Sequence, residues 1–141
     1  MWRILLTVLL LAGCADLQLP PSPADIQAKK FEALPDKSVI YVVRSSMDSN
    51  ESSELSLDGR AQITTYRRTY YRWEVAPGTH RVAGIGRATE QVTLTTTPGR
   101  IYFLEHKVLG DWENGGVIYS GLWEVGDQAG RALVMRAQLL M

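Results

Sequence analysis

The chain has 141 residues, with 15 Lys and Arg against 15 Asp and Glu, two histidines and a single cysteine. So even a balance argues against a polyanion held by bulk charge, and a lone thiol excludes an internal disulfide, leaving packing as the source of stability. The length suits one modest domain with its own core.

The first stretch, MWRILLTVLLLAGCADL, carries Arg3 and then an apolar run from Ile4 to Ala12 broken only by Thr7. A short positive region followed by roughly 7–15 apolar residues is the pattern of a secretory signal. It is shorter than the about 20 apolar residues that a membrane-crossing helix needs. Its ending, Leu11-Ala12-Gly13-Cys14, resembles the lipobox of bacterial lipoproteins. That resemblance implies cleavage after residue 13 and acylation of Cys14, whose two or three acyl chains would hold the protein on a membrane for good. In such lipoproteins an aspartate directly after the cysteine favours the inner membrane. Here Ala15 takes that place and Asp16 follows, so the expected location is the outer membrane, facing the periplasm.

Residues 14–36 are expected to form a lipidated tether and a short helix. Pro20, Pro21 and Pro23 favour extended geometry at about 3.1 Å per residue. Ala24 to Leu34 reads as a short helix with Ile26, Phe31 and Leu34 on one side, capped by Ser22 or Asp25 and stopped by Pro35.

Residues 37–141 read as strands. Val39 to Val43 (VIYVV) is a central buried strand. Ser45 to Ser53 is a polar loop. Glu54 to Leu57 and Ala61 to Thr65 flank Asp58-Gly59, a hairpin signal because glycine tolerates positive φ. Tyr70 to Val75 alternates, placing Tyr71, Trp73 and Val75 on a core face and Tyr70, Arg72 and Glu74 on the other. Pro77-Gly78 then turns the chain. Further strands are expected at His80 to Ile85, Gln91 to Thr95, Ile101 to Val108 and Val117 to Trp123. Asp127 is expected to cap a closing helix with Ala129, Leu133 and Leu140 toward the sheet, weakened by Gly130. Short strands at this spacing predict a mainly β fold, a small antiparallel Ig-like sandwich with a short helix at either end.

The stretch Leu57-Asp58-Gly59-Arg60, followed some fifteen residues on by Val75-Ala76-Pro77-Gly78-Thr79-His80, resembles the "DG … PG-x-H" frame of PEGA-like domains. It is also similar to a family of bacterial lipoproteins whose domain has no assigned function. The resemblance spans about Lys29 to Val108 and implies a small β-sandwich on a lipid anchor. Asp58, Gly59, Pro77 and Gly78 are turn residues, and turns specify fold rather than chemistry.

Reactive groups are few. His80 and His106 are the only imidazoles, and they do not cluster with other ligands in sequence, so no metal and no cofactor is expected. Asp48-x-Asn50-x-Ser52 opens like a calcium loop, but Ser53 stands where glycine is needed and Gly59 where a bidentate Glu belongs. Gly84-Ile85-Gly86 lacks the context of a nucleotide fingerprint. Tyr119-Ser120-Gly121 is preceded by Ile118, where a nucleophile elbow needs glycine. Asp111 and Glu113, with His106, are the one carboxylate set that an envelope glycan hydrolase would use.

The least ordinary stretch is Tyr66-Arg67-Arg68-Thr69-Tyr70-Tyr71-Arg72-Trp73, read as surrounding a hairpin tip. Tyr66, Arg67, Arg68, Tyr70 and Arg72, with Arg60 nearby, are the expected exposed Tyr/Arg binding surface, since these residue types dominate binding hot spots. The competing reading is that arginine stems merely cover a sheet face. The expected function is a non-catalytic, lipid-anchored envelope module that meets an envelope protein or glycan and no nucleic acid. The alternatives are the hydrolase and a purely structural spacer.

Overall fold

The computed structural model describes residues 20–85, 88–111 and 113–141. Cys14, the signal-like stretch, the first part of the tether and Gly86 lie outside the described residues. In chain order the elements are α1 (Pro23–Ala28), β1 (Ser38–Val43), β2 (Ser53–Leu57), β3 (Ala61–Thr65), β4 (Thr69–Val75), β5 (Gly78–Ile85), β6 (Gln91–Thr96), β7 (Ile101–Gly110), β8 (Val117–Val125), α2 (Asp127–Met135) and β9 (Gln138–Leu139). They form two sheets, β8-β7-β1-β4-β9 and β3-β2-β5-β6, so the mainly β sandwich with a short helix near either end is what the chain adopts.

The larger sheet is mixed rather than wholly antiparallel. β1 runs antiparallel to β4 but parallel to β7, and β9 lies parallel to β4. Parallel neighbours need a long crossover, and here the strands between β1 and β7, most of them in the smaller sheet, provide it.

Ile40, Val42, Leu55, Trp73, Val82 and Leu104 fill the space between the sheets. A second core lies on the outer face of the larger sheet, where Val39, Tyr41, Val43, Tyr70 and Phe103 meet Ala28 of α1 and Val134 of α2. β1 is therefore buried on both faces, which explains its unbroken apolar run.

The helices differ from expectation in instructive ways. α1 stops at Ala28, six residues short of Leu34. Ser22 is its cap, accepting from Asp25 N at 3.1 Å, while Asp25 itself is buried. Beyond Lys29 the chain turns through Phe31 at φ 52°, which brings that ring to 5.5 Å from the ring of Tyr41 and 5.9 Å from that of Phe103. Burial of aromatics outweighs continuation of a helix that is marginal by itself. In α2 the cap is the backbone of Gly126, not Asp127, and the buried positions are Gly130 and Val134, with Ala129 exposed. Leu133 does face the sheet, and Leu140 falls after the helix.

The free edge of β8 is covered by the segment leading into β6. Ser120 N donates to Ala88 O (2.8 Å), Glu90 N donates to Ser120 O (2.9 Å), and the Glu90 carboxylate receives Leu122 N and the Tyr119 hydroxyl. Blocking an edge in this way prevents pairing with other chains.

The strand directions define two ends of the sandwich. The turn end carries residues 58–60, 76–77 and 97–100. The loop end carries residues 44–52 and 66–68, the end of β5, and the β7–β8 connection.

Candidate functional site

The loop end is built around a buried ion pair. β1 ends at Val43 opposite Glu105, while β7 continues to Gly110 without that neighbour. The N–H of Val108 would be left unpaired, and the carboxylate of Asp48 accepts it instead, its two oxygens at 3.0 and 3.1 Å. Asp48 is charge-paired with Arg44, whose Nε lies 2.9 Å from Oδ2. Arg44 is almost wholly buried, and its Nη1 and Nη2 donate to the carbonyls of Ser49, Glu51 and Thr65 at 2.8–3.0 Å. One guanidinium thus holds the polar loop and the end of β3 to the strand it follows. A buried charge is tolerated when it is paired and hydrogen-bonded in this way.

Beside this clasp His106 is fully buried. Thr65 Oγ1 donates to Ser53 O at 3.0 Å, so it accepts from His106 Nδ1–H at 3.1 Å. His106 Nε2 then accepts the Ser120 hydroxyl at 2.7 Å. A hydroxyl given to an imidazole is the geometry of an activated nucleophile. Here, however, both Ser120 and His106 are fully buried. Burial, followed by the charge of Arg44, pushes His106 down to about 4, against a smaller upward pull from Asp48.

The surface of this end carries exposed apolar side chains among polar ones. Met47 is 89% exposed, Leu109 50%, Tyr66 and Ile118 48% each, and Ile85 37%. Among the described residues no large exposed apolar side chain lies at the turn end. An open groove of about 520 Å³ runs between loop 47–51 and the end of β7, with Met47 and Leu109 beside Glu51, Lys107 and Asp111.

The expected Tyr/Arg surface does not form as one patch. Tyr70 is buried on the outer face, where its hydroxyl donates to Asp25 Oδ1 at 2.9 Å; burial and that carboxylate push its ionisation up. The alternation of β4 suggested a solvent face, but α1 covers it. Arg72 is half-buried, its guanidinium 5.9 Å from the ring centroid of Tyr41 and paired with Glu74. Its stem is cladding on the sheet. The Tyr66–Trp73 stretch surrounds no hairpin tip, because β3 and β4 belong to different sheets. Residues 66–68 are a sheet-switching turn, in which Arg68 adopts φ 64° and Thr69 Oγ1 donates to Tyr66 O at 2.6 Å. Tyr66 and Arg67 are exposed there and Arg68 is half-buried. Arg60 is exposed at the opposite end of β3, about 20 Å from Tyr66 at about 3.3 Å per residue.

At the turn end Asp58 and Gly59, at φ 54° and 67°, form a two-residue primed turn closed by Arg60 N on Leu57 O at 3.0 Å. Gly78, at φ 145°, opens β5 after Ala76 and Pro77. His80 joins these turns by bonding Asp58 and the Ala76 carbonyl.

Asp111 and Glu113 do not converge with His106. Asp111 accepts from Glu113 N, Asn114 N and Asn114 Nδ2 within its own turn, and these bonds hold it below the usual carboxylate range. Among the described residues there is no group of three metal-ligating side chains, and no helix is long and apolar enough to cross a membrane.

Sequence reasoning missed Met47, Ile85, Leu109 and Ile118, which sit singly among polar residues or at strand ends. It also missed the Arg44–Asp48 pair, although a charged residue ending an apolar strand four positions before an aspartate was a usable signal. Compared with protein-family models and with curated proteins, the chain matches none.

Proposed function

We propose that this chain is a lipid-anchored cell-envelope protein, acylated on Cys14 and facing the periplasm from the outer membrane, that works without catalysis as a binding or accessory module. The observation that supports a binding role is the loop end. Of the nine large apolar side chains exposed among the described residues, five stand at one end of the sandwich, Met47 and Leu109 beside a loop and strand joined by a buried ion pair. Exposed apolar groups gathered in one region mark interaction sites, whereas scattered ones need no explanation. Loops held by a rigid scaffold are where binding residues are ordinarily found. Anchoring raises the local concentration of such a module, so a weak contact suffices.

The test is photo-crosslinking in cells from positions 47, 66 and 109, compared with position 97 at the turn end, in protein with its native signal and in a Cys14→Ser control. The expected result is a defined adduct from the loop-end positions that weakens without the anchor. Equal background from all positions would end the binding-module reading, and an unmodified Cys14 in mass spectra would end the anchoring.

A further inference from the structure

We propose that the partner of the loop end is the bilayer surface itself: the apolar side chains of Met47, Tyr66, Leu109 and Ile118 rest in the interfacial layer of the membrane that carries the Cys14 acyl chains. This inference rests on the anchored reading above. It is carried by where α1 docks on the larger sheet and by how few residues separate that helix from the anchor.

The chain reaches the fold through the loop-end half of the larger sheet. Asp25 Oδ1 accepts from both the Tyr70 hydroxyl and Leu139 N, at 2.9 and 3.0 Å, beside the end of β4 that adjoins the 66–68 turn. From there the chain descends the outer face, with Ala28 O on the Tyr41 hydroxyl at 2.6 Å, to Leu34. The carbonyl of Leu34 accepts Gly99 N at the turn end. Eight residue steps join Cys14 to Ser22, the cap of α1 beside Asp25, a reach of at most about 29 Å at about 3.3–3.6 Å each. The ten-residue β7 spans about 33 Å. A tether shorter than the sandwich, attached to its loop-end half, keeps that end the nearer one to the lipid.

The chemistry of this end fits a lipid interface. Methionine, leucine and isoleucine suit the acyl boundary, and tyrosine is enriched at headgroup level because its ring is apolar and its hydroxyl polar. The charged residues nearby are of both signs, with Arg67 and Lys107 exposed among Glu113 and the half-buried Glu51 and Asp111. Apolar contact, rather than attraction to anionic lipid, therefore governs the interaction. The turn end, with exposed Asp58, Arg60, Thr97 and Arg100, has no such groups.

Because Cys14 is the only native cysteine, one added thiol labels uniquely once Cys14 is acylated. The acylated protein, extracted from its envelope and reconstituted in phosphatidylcholine vesicles, is labelled with a fluorophore at Met47→Cys, Ile118→Cys, Thr97→Cys or Met135→Cys. The quencher is a phosphatidylcholine brominated in its acyl chains. Quenching at positions 47 and 118 is expected to exceed that at 97 and 135 at least threefold. Equal quenching at all four, strongest quenching at 135 on the helical face, or none at 47 and 118 would overturn the proposal, the last result leaving the loop end to a protein partner. Mass spectrometry of the same preparations separates the two failures: absent acyl chains remove the anchoring, while acylated protein without loop-end quenching removes only the bilayer contact.

Discussion

His80 is held between two acceptors: its Nδ1 lies 2.8 Å from Asp58 Oδ2 and its Nε2 2.6 Å from the carbonyl oxygen of Ala76. Neither partner can donate, so both ring nitrogens carry protons and the imidazole is in its cationic form when both bonds are made. Asp58 Oδ1 also accepts Arg81 N at 2.8 Å. The pair therefore ties the β2–β3 turn to the start of β5, and it gives a physical reason for the spacing between Asp58-Gly59 and Pro77-Gly78-Thr79-His80.

This clasp is pH-dependent. Burial alone would lower the His80 pKa, but the bonds to Asp58 and Ala76 raise it overall. For Asp58, burial raises and the bonds to His80 and Arg81 N lower, with a net fall. The His80 contribution is complete below the unfolded value of about 6.5 and is lost as pH rises through the folded value. The Asp58 contribution is present above about 3.9 and is lost as pH falls through its lowered value. Asp58 is more than a third exposed, so screening keeps the pair below about 1 kcal/mol. Urea unfolding of wild type and His80→Gln is expected to show its largest stability difference near pH 5–6 and almost none at pH 9. A difference that grows with pH would contradict the cationic assignment.

Breaking the Arg44–Asp48 pair from one side is expected to cost about 3–5 kcal/mol, because each partner strands the other in the interior. Arg44→Met leaves a buried carboxylate with only N–H donors, and Asp48→Leu leaves a guanidinium with carbonyls and removes the acceptor for Val108 N. The Arg44→Met/Asp48→Leu protein should be less destabilised than the sum of the two single changes. Denaturant unfolding of the four proteins in a double-mutant cycle reads this directly, and strictly additive losses would show that the two residues act independently.

The strands were legible because β-branched runs and turn residues coincide. Val39 to Val43 is buried on both faces, and Asp58-Gly59 sits where positive φ is required. What escaped the sequence was non-local. Tyr70 alternates with core residues and so read as exposed, yet α1, more than forty residues earlier, covers it. The Ser45–Ser53 run reads as a polar loop, and Arg44 and Asp48 turn part of it inward to complete a strand left without a neighbour. Arg60 and Tyr66 are close in sequence, but the length of β3 separates them. Composition cannot show which end of a strand a residue occupies until the pairing is known.

Gly130 was expected to weaken α2, and it instead lets the helix approach the sheet. A Cβ added there would lie 2.2 Å from Phe103 Cγ and 2.3 Å from its Cβ. Gly130→Ala gains up to about 1 kcal/mol of helix propensity, but the overpacking costs typically 1–3 kcal/mol, so a net loss is expected. Leucine at position 103 keeps both of those atoms, so Gly130→Ala should remain destabilising when it is added to Phe103→Leu. Thermal unfolding of the three variants checks this, and a stabilised Gly130→Ala protein would show that the helix can move away freely.

The second histidine behaves oppositely to the first. His106 faces two hydroxyls in the interior, with Arg44 and Asp48 the charged groups that act on it, and its pKa falls to about 4. The folded state therefore refuses a proton that the unfolded chain accepts from about pH 6.5 downward. Its contribution to stability is unchanged above that value, falls as the pH drops toward 4, and levels off below, a span of roughly 2–4 kcal/mol at 1.36 kcal/mol per unit. The window between pH 6.5 and 5 lies above the range in which carboxylates titrate, and a His80→Gln background removes the opposing clasp. In that background urea unfolding should show stability declining steadily from pH 6.5 to 5. Nitrogen-15 spectra should hold His106 as the Nδ1–H tautomer throughout. An imidazole that titrates near pH 6.5 in the folded protein would mean that water reaches it, and the Ser120 hydroxyl beside it would then have to be reconsidered as a reactive group.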